Sequence, residues 1–189
     1  LLNVMIKAAH KAGRALKRDF GEIEHLQVSV KGPANFVTAA DHRAEEILRA
    51  ELTQARPGYG FLGEEGGAHE GSDKTHRWIV DPLDGTTNFL HSIPLFCISV
   101  GLEREGQMVA GVIFNPITDE LYSARAGGGA TLNGKTIRAS QAAKLDEARI
   151  HLGFSYRRPV AEHLKAVDAC LSASCEYARF GSGALGMAF

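Results

Sequence analysis

Residues 78–89 read W-I-V-D-P-L-D-G-T-T-N-F, an apolar run that passes without a spacer into two aspartates, a glycine and two threonines. Trp78-Ile79-Val80 has the aromatic and β-branched composition of a buried strand, so Asp81 is delivered at its end, where a sheet opens onto a cleft. A carboxylate withdrawn from water there is costly unless a cation answers it. Pro82 stiffens the turn and has no N–H. The Leu83 carbonyl and the Asp81 and Asp84 carboxylates can therefore converge on one point, as the oxygen ligands of a hard divalent cation do. Gly85 lets the backbone approach a ligand, and Thr86-Thr87-Asn88-Phe89 opens a short helix whose free N–H groups face back toward that point, which suits a phosphate. The same letters also fit a plain Asp-Pro turn with Asp84 or Thr86 as a helix cap.

Glu64 and Glu65 weigh against the plain turn. Phe61-Leu62 reads as a second short buried strand, and Gly63-Glu64-Glu65-Gly66 follows it as a second acidic group at a strand end. Two acidic strand ends imply one shared site, with metal-binding carboxylates on one side and an anion-binding helix start on the other. A phosphate ester is the ligand such a site suits.

Four separated segments now stand in a familiar order: Lys31 with Asn35-Phe36-Val37-Thr38-Ala39-Ala40-Asp41, then Gly63-Glu64-Glu65, then residues 81–89, then Gly181-Ser182-Gly183-Ala184. In these the chain resembles, over essentially its whole length, the inositol monophosphatase family of magnesium-dependent, lithium-sensitive phosphatases. The D-G-T-T-N-F ending is similar to the inositol monophosphatase branch rather than to the branches acting on adenosine bisphosphate or histidinol phosphate. The resemblance implies a layered α-β-α-β-α sandwich of α+β class, a cytoplasmic homodimer, two or three Mg2+ per site, and hydrolysis of inositol 1-phosphate by metal-activated water. Fructose 1,6-bisphosphate and NADP are the alternative substrates within the family. Contact with the transcription antitermination machinery, made by some bacterial members, is the alternative of a different class.

The resemblance also assigns residues. Glu64, Asp81 and the Leu83 carbonyl would hold the first magnesium, and Asp81 with Asp84 the second, with Glu64 helping to hold a weaker third ion. Asp41 and Thr86 would orient the attacking water, while the Gly85 and Thr86 N–H groups would hold the phosphate. Ser182 and Gly183 would lie near the alcohol part of the substrate, and Lys31 near the metal and phosphate cluster. Purely structural roles stand beside three of these: Asp41 in a Thr38–Asp41 capping box, Ser182 as a helix cap, and Lys31 as an exposed loop lysine. Family members continue through a W-D segment whose aspartate ligates the second magnesium. Here the only tryptophan is Trp78, and the chain opens on Leu1 and breaks off in a helix start at Phe189, so a longer natural protein is expected.

The remainder reads as scaffold. Met5, Ala9, Ala12, Leu16 and Phe20 share one helical face, with Gly21 placed to end the helix, and a second helix starting at Thr38 carries Ala44, Ile47, Leu48 and Leu52 inward. Residues 96–102, 108–114 and 121–124 read as strands, with turns at Glu105-Gly106 and Asn133-Gly134, so the sheet is largely antiparallel. Gly127-Gly128-Gly129 precedes a hairpin rather than a helix, which makes it a turn and not a phosphate loop. From about Gln141 the pattern changes to strand, helix (159–171, with Ala161, Leu164 and Val167 partly inward), strand (177–180) and helix, giving an N-terminal unit over 1–140 and the start of a second over 141–189. A net charge of -1 gives no support for nucleic-acid or membrane binding. The eight histidines show no HExxH, no G-x-S-x-G occurs, and Cys97, Cys170 and Cys175 follow no metal spacing and read as reduced core thiols of a cytosolic protein.

Overall fold

The computed structural model describes residues 1–26, 33–154 and 158–189. Lys31, named above beside the phosphate cluster, lies outside the described residues.

Helix α1 (Leu2–Leu26) and helix α2 (Pro33–Ala55) lie side by side over one face of a sheet. The α1 stripe of Met5, Ala9, Ala12 and Leu16 is wholly buried, as its spacing predicts. Gly21 does not end the helix. Ile23, 1 % exposed, extends the apolar stripe by another turn, and burying it outweighs the roughly 1 kcal/mol that a mid-helix glycine costs. The start of α2 also differs from expectation, because Pro33 occupies the first helical position, where its missing N–H is harmless. Thr38 and Asp41 therefore sit within the helix rather than at a capping box.

The sheet has eight strands in the spatial order β2-β1-β3-β4-β5-β6-β7-β8. They are β1 (Tyr59–Gly63), β2 (Gly67–His69), β3 (Asp73–Asp84), β4 (Cys97–Arg104), β5 (Gln107–Asn115), β6 (Glu120–Arg125), β7 (Gly129–Leu132) and β8 (Lys135–Ile137). Every pairing is antiparallel except β1 with β3. The hairpin turns predicted at Glu105-Gly106 and Asn133-Gly134 have all four residues at positive φ, the two-residue geometry that matches strand twist. Strand β3 begins earlier and ends later than its apolar run, reaching Asp84 with a break in register between Asp81 and Asp84. Pro82, with no N–H to give the ladder, falls in that break. Close approach of α1 to β5 explains Gly13, where a Cβ would fall 2.6 Å from the Phe114 ring.

Short helix α3 (Thr86–Leu90) follows β3. After β8 the chain forms β9 (Arg149–His151), α4 (Val160–Ser172), β10 (Glu176–Ala178) and α5 (Gly183–Ala188), with β9 and β10 paired in parallel. On α4 the inward face is Cys170 with the half-buried His163, Ala166 and Val167, whereas Ala161 is exposed and Leu164 is 59 % exposed. The helix is thus rotated from the expected face, because the 163/166/167/170 stripe is the one turned inward. All three cysteines are buried and unpaired in disulfides. The whole is an α+β layered arrangement, and no helix among the described residues is long and apolar enough to cross a membrane.

Candidate active site

The β1/β3 register builds the site. Gly63 lies opposite Val80, so the residues that follow, Glu64 and Asp81, emerge side by side from two parallel neighbours. On the other flank Asp81 pairs with Ser99 and Asp84 with Cys97 of β4. Asp81 is half-buried, and burial, then the charges of Glu64 and Asp84, raise its carboxyl from 3.8 to about 8. Its Oδ1 accepts from Leu83 N at 3.1 Å, which folds the Pro82 bend back on itself. The Leu83 carbonyl accepts from Thr86 Oγ1, also at 3.1 Å. Gly85 caps α3 at φ 102, and a Cβ there would lie 3.0 Å from the Leu95 carbonyl, so a side chain is excluded on both counts.

Asp41 approaches from α2. It is 6 % exposed, its Oδ1 is buried with no hydrogen-bond partner, and burial together with Glu65, Glu64 and Glu45 raises it to about 7. One helical turn on, Glu45 is equally buried, and its carboxylate accepts from Glu65 N at 2.8 Å and Gly66 N at 2.7 Å. His42 Nε2 lies 3.3 Å from Glu65 Oε2. Sequence reasoning passed over Glu45; the signal available was its i, i+4 spacing from Asp41, which puts both acids on one helical face.

The last segment closes on Asp84. Ser182 Oγ donates to Asp84 Oδ2 at 2.6 Å, and Ala184 N donates to the same oxygen at 2.6 Å. Ser182 also caps α5 by accepting from Leu185 N, and at 1 % exposure its hydroxyl is committed to protein partners. Gly183 is exposed beside it. Asn88 Nδ2 donates to the Leu95 carbonyl at 2.5 Å and to the Phe180 carbonyl at 2.6 Å, joining α3 to the segment that carries Ser182.

Glu64, Asp81, Leu83 and Asp84 are a set of hard oxygen donors surrounded by negative charge, with a buried acid oxygen left over on Asp41. That is the donor chemistry of Mg2+ rather than of zinc or copper. Among the described residues no three acidic, His or Cys side chains are drawn together at ligand distance.

The model of the inositol monophosphatase family matches residues 1–189. The chain belongs to the inositol monophosphatase family. Among its relatives the inositol-1-monophosphatase of Mesorhizobium japonicum is 55 % identical, over all of this chain and 72 % of that protein. A Nus factor SuhB of Xylella fastidiosa is 40 % identical over all of this chain and 68 % of that protein. The crystal structure of the extragenic suppressor protein suhB from Bartonella henselae superposes with a TM-score of 0.90 at 48 % identity, covering 99 % of this chain and 72 % of that one. The family match accounts for the layered α+β fold, and the four motif segments of the inositol monophosphatase resemblance lie within the matched residues.

Proposed function

We propose that this protein hydrolyses phosphate monoesters with Mg2+ and that inositol 1-phosphate is its substrate. The observation that carries the reading is the parallel register that sets Glu64 beside Asp81, with Leu83 and Asp84 following in the same bend. Relatives named inositol-1-monophosphatase at 51–55 % identity support the substrate. Glu64, Asp81 and the Leu83 carbonyl would hold one ion, and Asp81 with Asp84 another. Bound there, the metal supplies Lewis acidity and lowers the pKa of water.

The chain's own residues do the rest. The Thr86 hydroxyl spends its proton on the Leu83 carbonyl, which leaves its oxygen lone pairs to accept from a water. The unpartnered Asp41 Oδ1 is the second acceptor that fixes that water's direction. The Gly85 and Thr86 N–H groups hold the phosphate, and the missing Cβ at Gly85 lets it come close. Gly183, exposed next to the Asp84 anchor, stands nearest the alcohol. The unit over 1–140 carries the metal ligands and the unit from 141 contributes the anchor.

Phosphate release from inositol 1-phosphate, with and without Mg2+, by the wild type and by Asp81→Asn, tests this. Mg2+-dependent release lost in the variant supports it, release only from fructose 1,6-bisphosphate or NADP moves the substrate, and no release from any monoester refutes it. A second reading is favoured by the relatives named Nus factor: contact with the transcription machinery, which a pull-down with RNA polymerase detects and which Asp81→Asn would leave intact.

A further inference from the structure

We infer that Glu45, outside the proposed ligand set, is a positioning residue that fixes the backbone of the Glu64 turn, so that Glu64 faces Asp81 while Glu65 is turned to His42. The inference rests on the magnesium-phosphatase reading above. Three observations carry it. Each oxygen of the buried Glu45 carboxylate takes one backbone N–H of the turn, Glu65 N on Oε2 and Gly66 N on Oε1, so the peptide plane next to Glu64 cannot rotate without breaking a charge-assisted bond. Both flanking glycines are explained by the same carboxylate: a Cβ on Gly63 would collide with Glu45 Oε2, and one on Gly66 would lie 2.7 Å from Oε1. The two acids of G-E-E-G then part company, because the Glu65 carboxylate reaches His42 on α2 and the Glu64 carboxylate bears on Asp81.

The chemistry of Glu45 is specific. An amide in its place has one acceptor oxygen and would point N–H at N–H on the other side. Aspartate keeps the charge but is one methylene short of the two N–H groups. The two hydrogen bonds that Glu45 makes among the described residues are both to backbone N–H groups of this turn. A carboxylate is kept there for the fork it provides.

The test is Mn2+ binding to the 189-residue chain, followed by the electron paramagnetic resonance of free Mn2+, with amide hydrogen exchange at Glu65 and Gly66 measured on the metal-free chain. Glu45→Asp, Glu45→Gln and Gly66→Ala should each weaken Mn2+ binding by about 10- to 100-fold, the range for groups that orient metal ligands, and speed exchange of both amides. Gly66→Ala reaches the same fork without altering Glu45, should the Glu45 variants fold poorly. Glu65→Gln removes a charge at similar range and should cost less than about threefold. Affinity within about twofold of wild type in Glu45→Asp and Gly66→Ala would overturn the inference, as would an equal loss in Glu65→Gln, which would make the effect one of charge alone. A wild-type chain that bound no Mn2+ would overturn the metal reading itself, while the exchange rates would still decide whether Glu45 holds the turn.

Discussion

At the scale of the residue, Asp81 shows what the site asks of its scaffold. Its carboxyl is raised to about 8 by burial and by its acidic neighbours, so in the absence of a cation it is an expense to the folded state. Asp81→Asn should therefore act in opposite directions: metal-free melting temperature rises, while the proposed phosphatase activity falls by about a thousandfold, the ~4 kcal/mol expected for losing a metal ligand. Calorimetry and a phosphate-release assay on the same preparation read both. The pH dependence follows from the same shift. A carboxyl that keeps its proton to about 8 when folded but loses it near 3.8 when unfolded makes the metal-free protein progressively less stable as pH rises between those values, with no further loss above them. Asp41, raised to about 7, adds to the same slope. Melting temperatures from pH 5 to 9 should fall in the metal-free chain, fall less steeply in Asp81→Asn, and gain more from Mg2+ at pH 8 than at pH 6.

At the scale of the element, the short helix α3 is a joint. Asn88 is 8 % exposed and satisfies two backbone carbonyls, Leu95 just before β4 and Phe180 just before α5, and a Cβ on Gly181 would sit 2.7 Å from its amide. Asn88→Ala should cost about 2–3 kcal/mol in urea unfolding, since two carbonyls lose their partner, and should quicken proteolysis after Phe180. Periodicity and turn chemistry made most elements legible: α1, the β4–β5 and β7–β8 hairpins, and the apolar centre of β3 are where the sequence pattern puts them. The departures have local causes. A glycine inside α1 yielded to the burial of Ile23, a proline at the first position of α2 displaced a capping box, and β2 carries too few apolar residues in G-A-H to announce itself. Of the site, the acids that follow strands were readable because an apolar run leads into each. Glu45 was not, because a buried acid in a helix looks like any solvated one until the strand ends it meets are known.

At the scale of the molecule, two clusters divide the interior. The large one joins α1, α2 and one face of the sheet through Trp78, Phe61, Phe89 and Phe96, and the small one joins Cys97, Tyr122 and Leu185 between the sheet and α5. Leu185 is wholly buried and is the apolar counterpart of the Ser182 and Ala184 bonds to Asp84. Leu185→Ala should lower stability by about 3 kcal/mol and, by loosening the Asp84 anchor, weaken Mg2+ binding, whereas Trp78→Ala should cost a similar 3–5 kcal/mol from the larger cluster. Isothermal titration of Mg2+ into both variants distinguishes the two, because Leu185 packs beside the segment bonded to Asp84, the proposed ligand, whereas Trp78 belongs to the larger cluster.

The one parallel pairing of the eight-stranded sheet, β1 on β3, ties correct assembly to chemistry. Side chains alternate across a strand, so sliding β1 by a single residue would turn Phe61 out of the interior and carry Glu64 away from Asp81 in the same motion. A misaligned sheet would expose an aromatic ring to solvent, where it is prone to clumping and to degradation. Burial of Phe61 thus resists a one-residue slip of β1 and holds Glu64 beside Asp81 by the same contact.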